Sequence, residues 1–408
     1  MPISKPTTTP ARLPLAAIAA TAALCSSLTH AQTDDTAPYY VGTSLGVSHV
    51  SNVYRQNDTP NSDTVVSAGL LGGLDQRLGR QHLTLDGSLQ NNRYSTNREL
   101  NYRSHSLRGA LNWQTAGDLS GVFSAKSDRS LADFNSSTLT EPLFKKNIER
   151  DEDYRAIARL GVGSRYSLEA GWNNRRRNFS AEEYAPYVYH QDTTWLGAFA
   201  MPGGNVRLGL VGRHTKGTNP RYLTGDLSNP IAPNDYTRND VDLTANWSAG
   251  GHTSLNARIS RSKTRNSLQN VSDFHGTTGA VGGTWQPTGK LQFNFQYARD
   301  TGQETTVVAT DMNRVYTSWQ LGTSYALTGK ISLGARVTSN RTRRDSDAVS
   351  AASLASDGTK SHNVNVRWAI SRAFSVTCQY DHINRDSSVQ RLSYTASSYG
   401  CTGQAILY

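Results

Sequence analysis

Apolar and polar positions alternate along most of this chain. In Lys290–Asp300, Leu291, Phe293, Phe295 and Tyr297 interleave with Gln292, Asn294, Gln296 and Ala298. A period of two predicts a β-strand with one apolar and one polar face. The same alternation sets up apolar rows at Leu83, Leu85 and Leu89, at Tyr166, Leu168, Ala170 and Trp172, at Val206, Leu208 and Leu210, and at Ile331, Leu333, Ala335 and Val337. In a soluble sandwich such rows meet a core. In a membrane barrel they meet lipid, and the polar rows line a lumen.

Turn signals divide the chain evenly. Short turns fall at Gly79-Arg80, Ala116-Gly117-Asp118, Gly163-Ser164, Pro202-Gly203-Gly204, Gly250-Gly251, Pro287-Thr288-Gly289, Thr328-Gly329 and Ser371-Arg372. They recur roughly every 38 to 47 residues, a hairpin-sized repeat. Between them lie longer polar segments at 55–62, 95–99, 130–149, 180–187, 218–235, 266–272, 302–313, 343–358 and 383–393. Eight turns and nine loops imply eighteen strands, with sixteen as the alternative. Trp113, Trp247, Trp285, Tyr325 and Trp368 each stand at the short-turn end of a descending strand. An aromatic row at one level marks a membrane interface. The expected fold is all-β: a transmembrane, antiparallel, up-and-down barrel with short periplasmic turns and long extracellular loops. A soluble β-solenoid or propeller is the competing architecture.

The N-terminus changes the picture. Lys5 and Arg12 precede an apolar run from Leu13 to Leu28, and Thr29-His30-Ala31 resembles a cleavage site. Residues 1–31 read as a secretory signal peptide, and 32–408 as a single barrel domain without a plug. Cys25 falls inside the leader, where a lipoprotein anchor is the minor alternative. Only Cys378 and Cys401 then remain. An oxidising compartment permits a disulfide between them, and two free thiols in neighbouring strands are the other possibility.

Charge adds a partner class. The net charge is +10, with 33 arginines to 9 lysines. Arginine suits bidentate contact with phosphate or carboxylate. Nucleic acid is a poor match for an exported chain. On the lipid-facing parity a cation recurs one span above the first apolar residue. Leu83 leads to Arg93, Leu119 to Arg129, Tyr166 to Arg176, Val206 to Lys216, Leu255 to Arg265 and Ile331 to Arg341, each after ten residues; Leu291 reaches Arg299 after eight. Ten tilted residues rise roughly 23 Å, about the height of the apolar band. These cations are expected as a collar for lipopolysaccharide phosphates. Polar residues at a strand exit are the plainer reading.

The opposite parity supplies the expected pore lining. Its bases are Arg108, Lys126, Arg155, Arg159, Arg207, Arg213, Arg258, Arg336 and Arg367. Its acids are Asp86, Glu169, Asp240, Asp242, Asp300 and Asp381. A basic excess would favour anionic solutes through rings of charge, unless the charges pair across strands and fill the wall. Loops 130–149 and 218–235 are the candidates for a constriction. The histidines are scattered with no metal-ligand spacing, so no catalytic group, metal or cofactor is expected.

The end of the chain, Cys401-Thr402-Gly403-Gln404-Ala405-Ile406-Leu407-Tyr408, resembles the C-terminal signal of outer-membrane proteins. Gly403, Ile406 and Tyr408 fit, and Cys401 departs at the polar position. The outer-membrane assembly machinery is the partner this implies, through Tyr408. The stretches Tyr39–Arg55, Cys378-Gln379-Tyr380 and Tyr399–Gln404 carry a wider resemblance. By them the chain resembles the EpsL-type barrel proteins of exosortase-linked exopolysaccharide clusters, within a broader group of β-barrel porins. That resemblance implies export of a polysaccharide, an anionic one included, across the bacterial outer membrane with periplasmic components left unnamed. It supplies no catalytic residues. The expected function is therefore a conduit or accessory for exopolysaccharide export. A general or anion-preferring diffusion porin is the alternative, and a non-conducting structural barrel the third reading.

Overall fold

In the computed structural model, the described residues are 37–134, 143–161, 163–223, 231–269, 271, 273–301, 315–343, 356–388 and 390–408. The expected signal peptide, 1–31, lies outside them. Among the described residues eighteen strands form one antiparallel sheet. They are β1 (Tyr39–Val50), β2 (Asp63–Leu78), β3 (Gln81–Tyr94), β4 (Tyr102–Gln114), β5 (Leu119–Leu131) and β6 (Ile148–Leu160). Next come β7 (Tyr166–Phe179), β8 (Tyr189–Gly203), β9 (Val206–Leu223), β10 (Ile231–Ala249), β11 (Thr253–Asn266) and β12 (Phe274–Thr288). The last are β13 (Leu291–Thr301), β14 (Val315–Ala326), β15 (Ile331–Arg343), β16 (Ser356–Ala369), β17 (Phe374–Ser387) and β18 (Tyr394–Leu407). Each strand pairs with its neighbours in the chain, and β1 pairs with β18 from Val41↔Leu407 to Val50↔Ser398. The sheet is closed, which leaves no edge unpaired.

The alternation determines which way each strand faces. Leu45, Leu70, Leu89, Leu196, Leu210, Leu243 and Ile259 stand exposed on the outside. Their sequence neighbours turn inward and are mostly Gly, Ser, Thr, Gln or charged residues, with Leu71, Trp195 and Val211 as the apolar exceptions. Trp247, Trp285, Tyr325 and Trp368 are exposed outward beside the short turns. Trp113 stacks on Phe123 at 6.2 Å, and Trp285 on Phe293 at 5.5 Å. An apolar exterior with an aromatic belt is a surface for lipid.

Strand ends differ from the sequence expectation. The segment 218–235 is not wholly a loop, because β9 runs on to Leu223 and β10 begins at Ile231. Likewise β17 continues to Ser387, and β16 begins at Ser356. Proline and polar residues suggested a loop, but the hairpin ladders continue past the apolar band. The register slips where proline cannot donate: between Ala232 and Asn234, between Ala200 and Gly203, and between Trp285 and Thr288. Of the two expected constrictions, residues 135–142 and 224–230 lie outside the described residues.

Cys378 and Cys401 are directly opposite on β17 and β18, with Cα atoms 4.0 Å apart, and are joined by a disulfide. The long-loop end of β1–β5 carries a small apolar cap of Val53, Tyr54, Leu100 and Phe134. The Tyr54 hydroxyl donates to Glu99 at 2.6 Å. Burial first, and then that bond, push the Tyr54 phenol well above its usual range. Asp63 at the head of β2 accepts from the backbone N–H groups of Ser95 at 3.1 Å and Asn97 at 2.7 Å, which fastens the β3–β4 loop.

Candidate functional site in the barrel lumen

Strand register puts every expected lining residue on the inward parity. Asp86 faces Arg108 across β3–β4, and Arg108 faces Lys126 across β4–β5. Arg155 and Arg159 of β6 share that side with Glu169 of β7. Arg207 and Arg213 of β9 share it with Asp240 and Asp242 of β10, Arg258 of β11 and Asp300 of β13. Arg336 of β15, Arg367 of β16 and Asp381 of β17 continue it.

The charges do not stand as one basic surface. On β9–β13 they close a ring of alternating sign. Arg213 reaches Asp242 at 2.6 Å and Asp240 at 3.4 Å. Arg238 reaches Asp240 at 2.9 Å and Asp300 at 3.2 Å. Arg258 pairs with Asp300 and lies 4.0 Å from Asp242. The pair Arg238–Asp300 spans both β11 and β12, and Arg258–Asp300 spans β12. That strand turns only Gly276, Thr278, Ala280 and Gly282 inward at this height, so long guanidinium side chains can cross it. The side chains of Arg238 and Asp240 are 0% exposed.

A second group lies lower on β6–β9. Glu169 accepts from Arg159 at 2.7 Å and from the Trp195 indole at 3.1 Å, with Arg207 at 3.7 Å. Arg207 lies over the Phe199 ring at 3.8 Å. Trp195 itself covers Gly171, where a Cβ would collide with the indole. A third group sits at the long-loop end of β5–β7. There Lys126 meets Asp128 at 2.6 Å and Asp151 at 3.6 Å, and Arg177 meets Glu149 at 3.0 Å.

Sequence reasoning missed Arg238, Asp128, Glu149, Asp151, Asp153, Arg175 and Arg177. All share the inward parity, which was the available signal. Glu149 was hidden because its segment, 130–149, was assigned to a loop. The missed acids neutralise much of the expected basic excess, so the lumen as a whole is close to charge balance. What remains basic is local. Among the described residues Arg155, Arg336 and Arg367 make no ion pair. Arg155 stacks over Trp195 at 5.4 Å, and Nε of Arg336 has no hydrogen-bond partner.

Several solved outer-membrane structures of Pseudomonas aeruginosa are similar in architecture. OpdK with vanillate shows 11% identity over 90% of this chain and 99% of that one, at a TM-score of 0.45. OccK2 (OpdF) in complex with glucuronate shows 10% identity over 91% and 98%, at 0.46. OpdQ shows 10% identity over 91% and 98%, at 0.43. At such values nothing about cargo passes to this chain, and the lumen is read from its own residues. No family model matches the chain, and no curated protein matches it.

The expected collar residues Arg93, Arg129, Arg176, Lys216, Arg265, Arg299 and Arg341 all take the outward parity and are exposed. Their surroundings differ. Glu152 stands across from Arg176, and Asp192 across from Lys216. Among the described residues no group of three His, Cys, Asp or Glu side chains could hold a metal ion.

Proposed function

We propose that this protein is an outer-membrane channel whose lumen passes small anionic solutes by diffusion. An eighteen-stranded barrel leaves room for water inside. The observation that carries the preference is the set of inward arginines without acidic partners, Arg155, Arg336 and Arg367. A fixed cation on a narrow aqueous wall raises the local anion concentration and lowers the barrier to anion passage. The ring on β9–β13 does not contribute in this way, because its three arginines and three aspartates present little net field to a passing ion.

Planar-bilayer recording in a potassium chloride gradient tests this directly. The reversal potential should lie on the chloride side, and Arg155→Glu with Arg336→Glu should move it toward potassium. Unaltered selectivity in that variant would remove these arginines from the conduction path. No conductance at all would favour a closed, structural barrel.

Polysaccharide export is the narrower second reading. Its support is an amide-rich strip on β16–β17, where Asn365 donates to Asn363 at 3.1 Å and Asn363 to Asp381 at 2.7 Å. Such a strip suits the many weak hydrogen bonds of a sugar chain. A clean deletion strain discriminates. Loss of extracellular glycan with periplasmic accumulation supports export, whereas unchanged glycan with slower anion uptake supports the diffusion channel.

A further inference from the structure

Four outward cations lie close together on β11–β13. On the outward face of β11, Arg261, Lys263 and Arg265 follow one another at alternate positions. Consecutive outward side chains on a strand are about 7 Å apart. Two strands away, Arg299 of β13 leans back over β12, where its guanidinium donates to the Thr277 carbonyl at 3.0 Å. Thr277 is the register partner of Arg261. The Arg299 head group is thus brought alongside Arg261 over a narrow, small-residue strip of β12. Among the described residues none of these four cations makes an ion pair.

This differs from the outward face of β6–β8. There Arg150 is bonded to Glu152 at 2.9 Å, and Asp192 is held by Trp172 at 3.1 Å and Asn174 at 2.9 Å among the cations. On β11–β13 the acid beside the cluster is Asp273, next to Arg265 in register. Its carboxylate accepts the Asn266 backbone N–H at 2.9 Å. Directly below the cations the surface becomes apolar, with Ile259 62% and Val281 37% exposed. The order along the membrane normal is therefore unpaired cations above a greasy wall. The cations stand on the long-loop side and the aromatic belt on the short-turn side.

We infer that the outward face of β11–β13 binds one phosphorylated glycolipid of the outer leaflet, with Arg261, Lys263 and Arg299 on its phosphates and Ile259 and Val281 against its acyl chains. The chemistry is complementary at both ends. A bare anion would use only the cations, and an uncharged lipid only the wall. Near an anionic lipid surface each such cation strengthens attachment several-fold, so three acting together are expected to give a tenfold effect or more, roughly.

The test uses the full-length barrel purified in detergent, with diphosphorylated lipid A as the probe and native mass spectrometry as the readout. The triple variant Arg261→Gln, Lys263→Gln, Arg299→Gln should bind the probe about tenfold more weakly or worse. A matched variant at Arg93, Arg129 and Arg176 should lose less than about threefold. Dephosphorylated lipid A should bind both proteins equally. Retained heat-modifiable mobility on gels shows that each variant is folded. Equal binding of diphosphorylated lipid A by wild type and the β11–β13 variant would overturn the inference. So would full displacement of the lipid by millimolar inorganic phosphate, which would mark a plain anion site.

Discussion

Arg238 is fully buried and touches Asp240, Asp300, Ser262 and Thr301. A buried guanidinium needs its partners, because taking one away strands a charge out of water. Asp300 holds both Arg238 and Arg258, so it is the joint of the ring. Replacing Asp300 by Ala is expected to cost about 3 kcal/mol of barrel stability, the scale for breaking one side of a buried pair. Asp300→Asn should cost less, since an amide still accepts one hydrogen bond. Urea unfolding in phospholipid vesicles, followed by tryptophan fluorescence, measures both. Equal stability of Asp300→Ala and wild type would mean that water already reaches Arg238.

β12 shows how an element with little side-chain bulk organises its neighbours. Its inward Gly276, Thr278, Ala280 and Gly282 form a trough between β11 and β13. Arg258 can reach Asp300 only through that trough. Ala280→Leu should fill it, separate the pair and lower stability by about 1–3 kcal/mol, as overpacking usually does. The same unfolding assay applies, and an additive double change with Asp300→Ala would show that the trough and the ion pair act independently. On the outside, β12 plays the matching role for Arg299, whose head group rests on Thr277.

At the scale of the whole molecule, closure and charge separation are the two dominant features. The β1–β18 seam closes the sheet, and the Cys378–Cys401 disulfide ties β18 to β17 beside that seam. Both cysteines lie on the lipid-facing parity, with Tyr380 and Tyr399 exposed beside them. A crosslink spanning 23 residues is worth roughly 3 kcal/mol in the chain-entropy view. Cys378→Ser with Cys401→Ser should therefore lower the temperature at which the folded gel band disappears while leaving the barrel intact. An unchanged temperature would mean that the strand ladder alone secures β18. Acids and bases nearly cancel within the lumen, whereas the exterior above the apolar band is strongly basic. Among the described strand residues the basic excess is thus mainly an outside property.

Alternation of residue types and the spacing of short turns were enough to count the strands, orient their faces and place Arg93 to Arg341 outside and Arg108 to Arg367 inside. A strand has a strict period of two, so parity survives even where strand ends are misjudged. Closure between β1 and β18 was implied but not located, and the disulfide remained one of two options, because both depend on pairing residues far apart in sequence. The charge ring could not be read at all. It joins β9, β10, β11 and β13, with Arg258 crossing one strand and Arg238 crossing two to reach Asp300. Which arginine meets which aspartate is determined by register, shear and the small residues of β12 together. For the same reason the sequence suggested a basic lumen, while only the folded barrel shows which of its cations are neutralised. Charge composition is a property of the chain, whereas pairing is a property of distance.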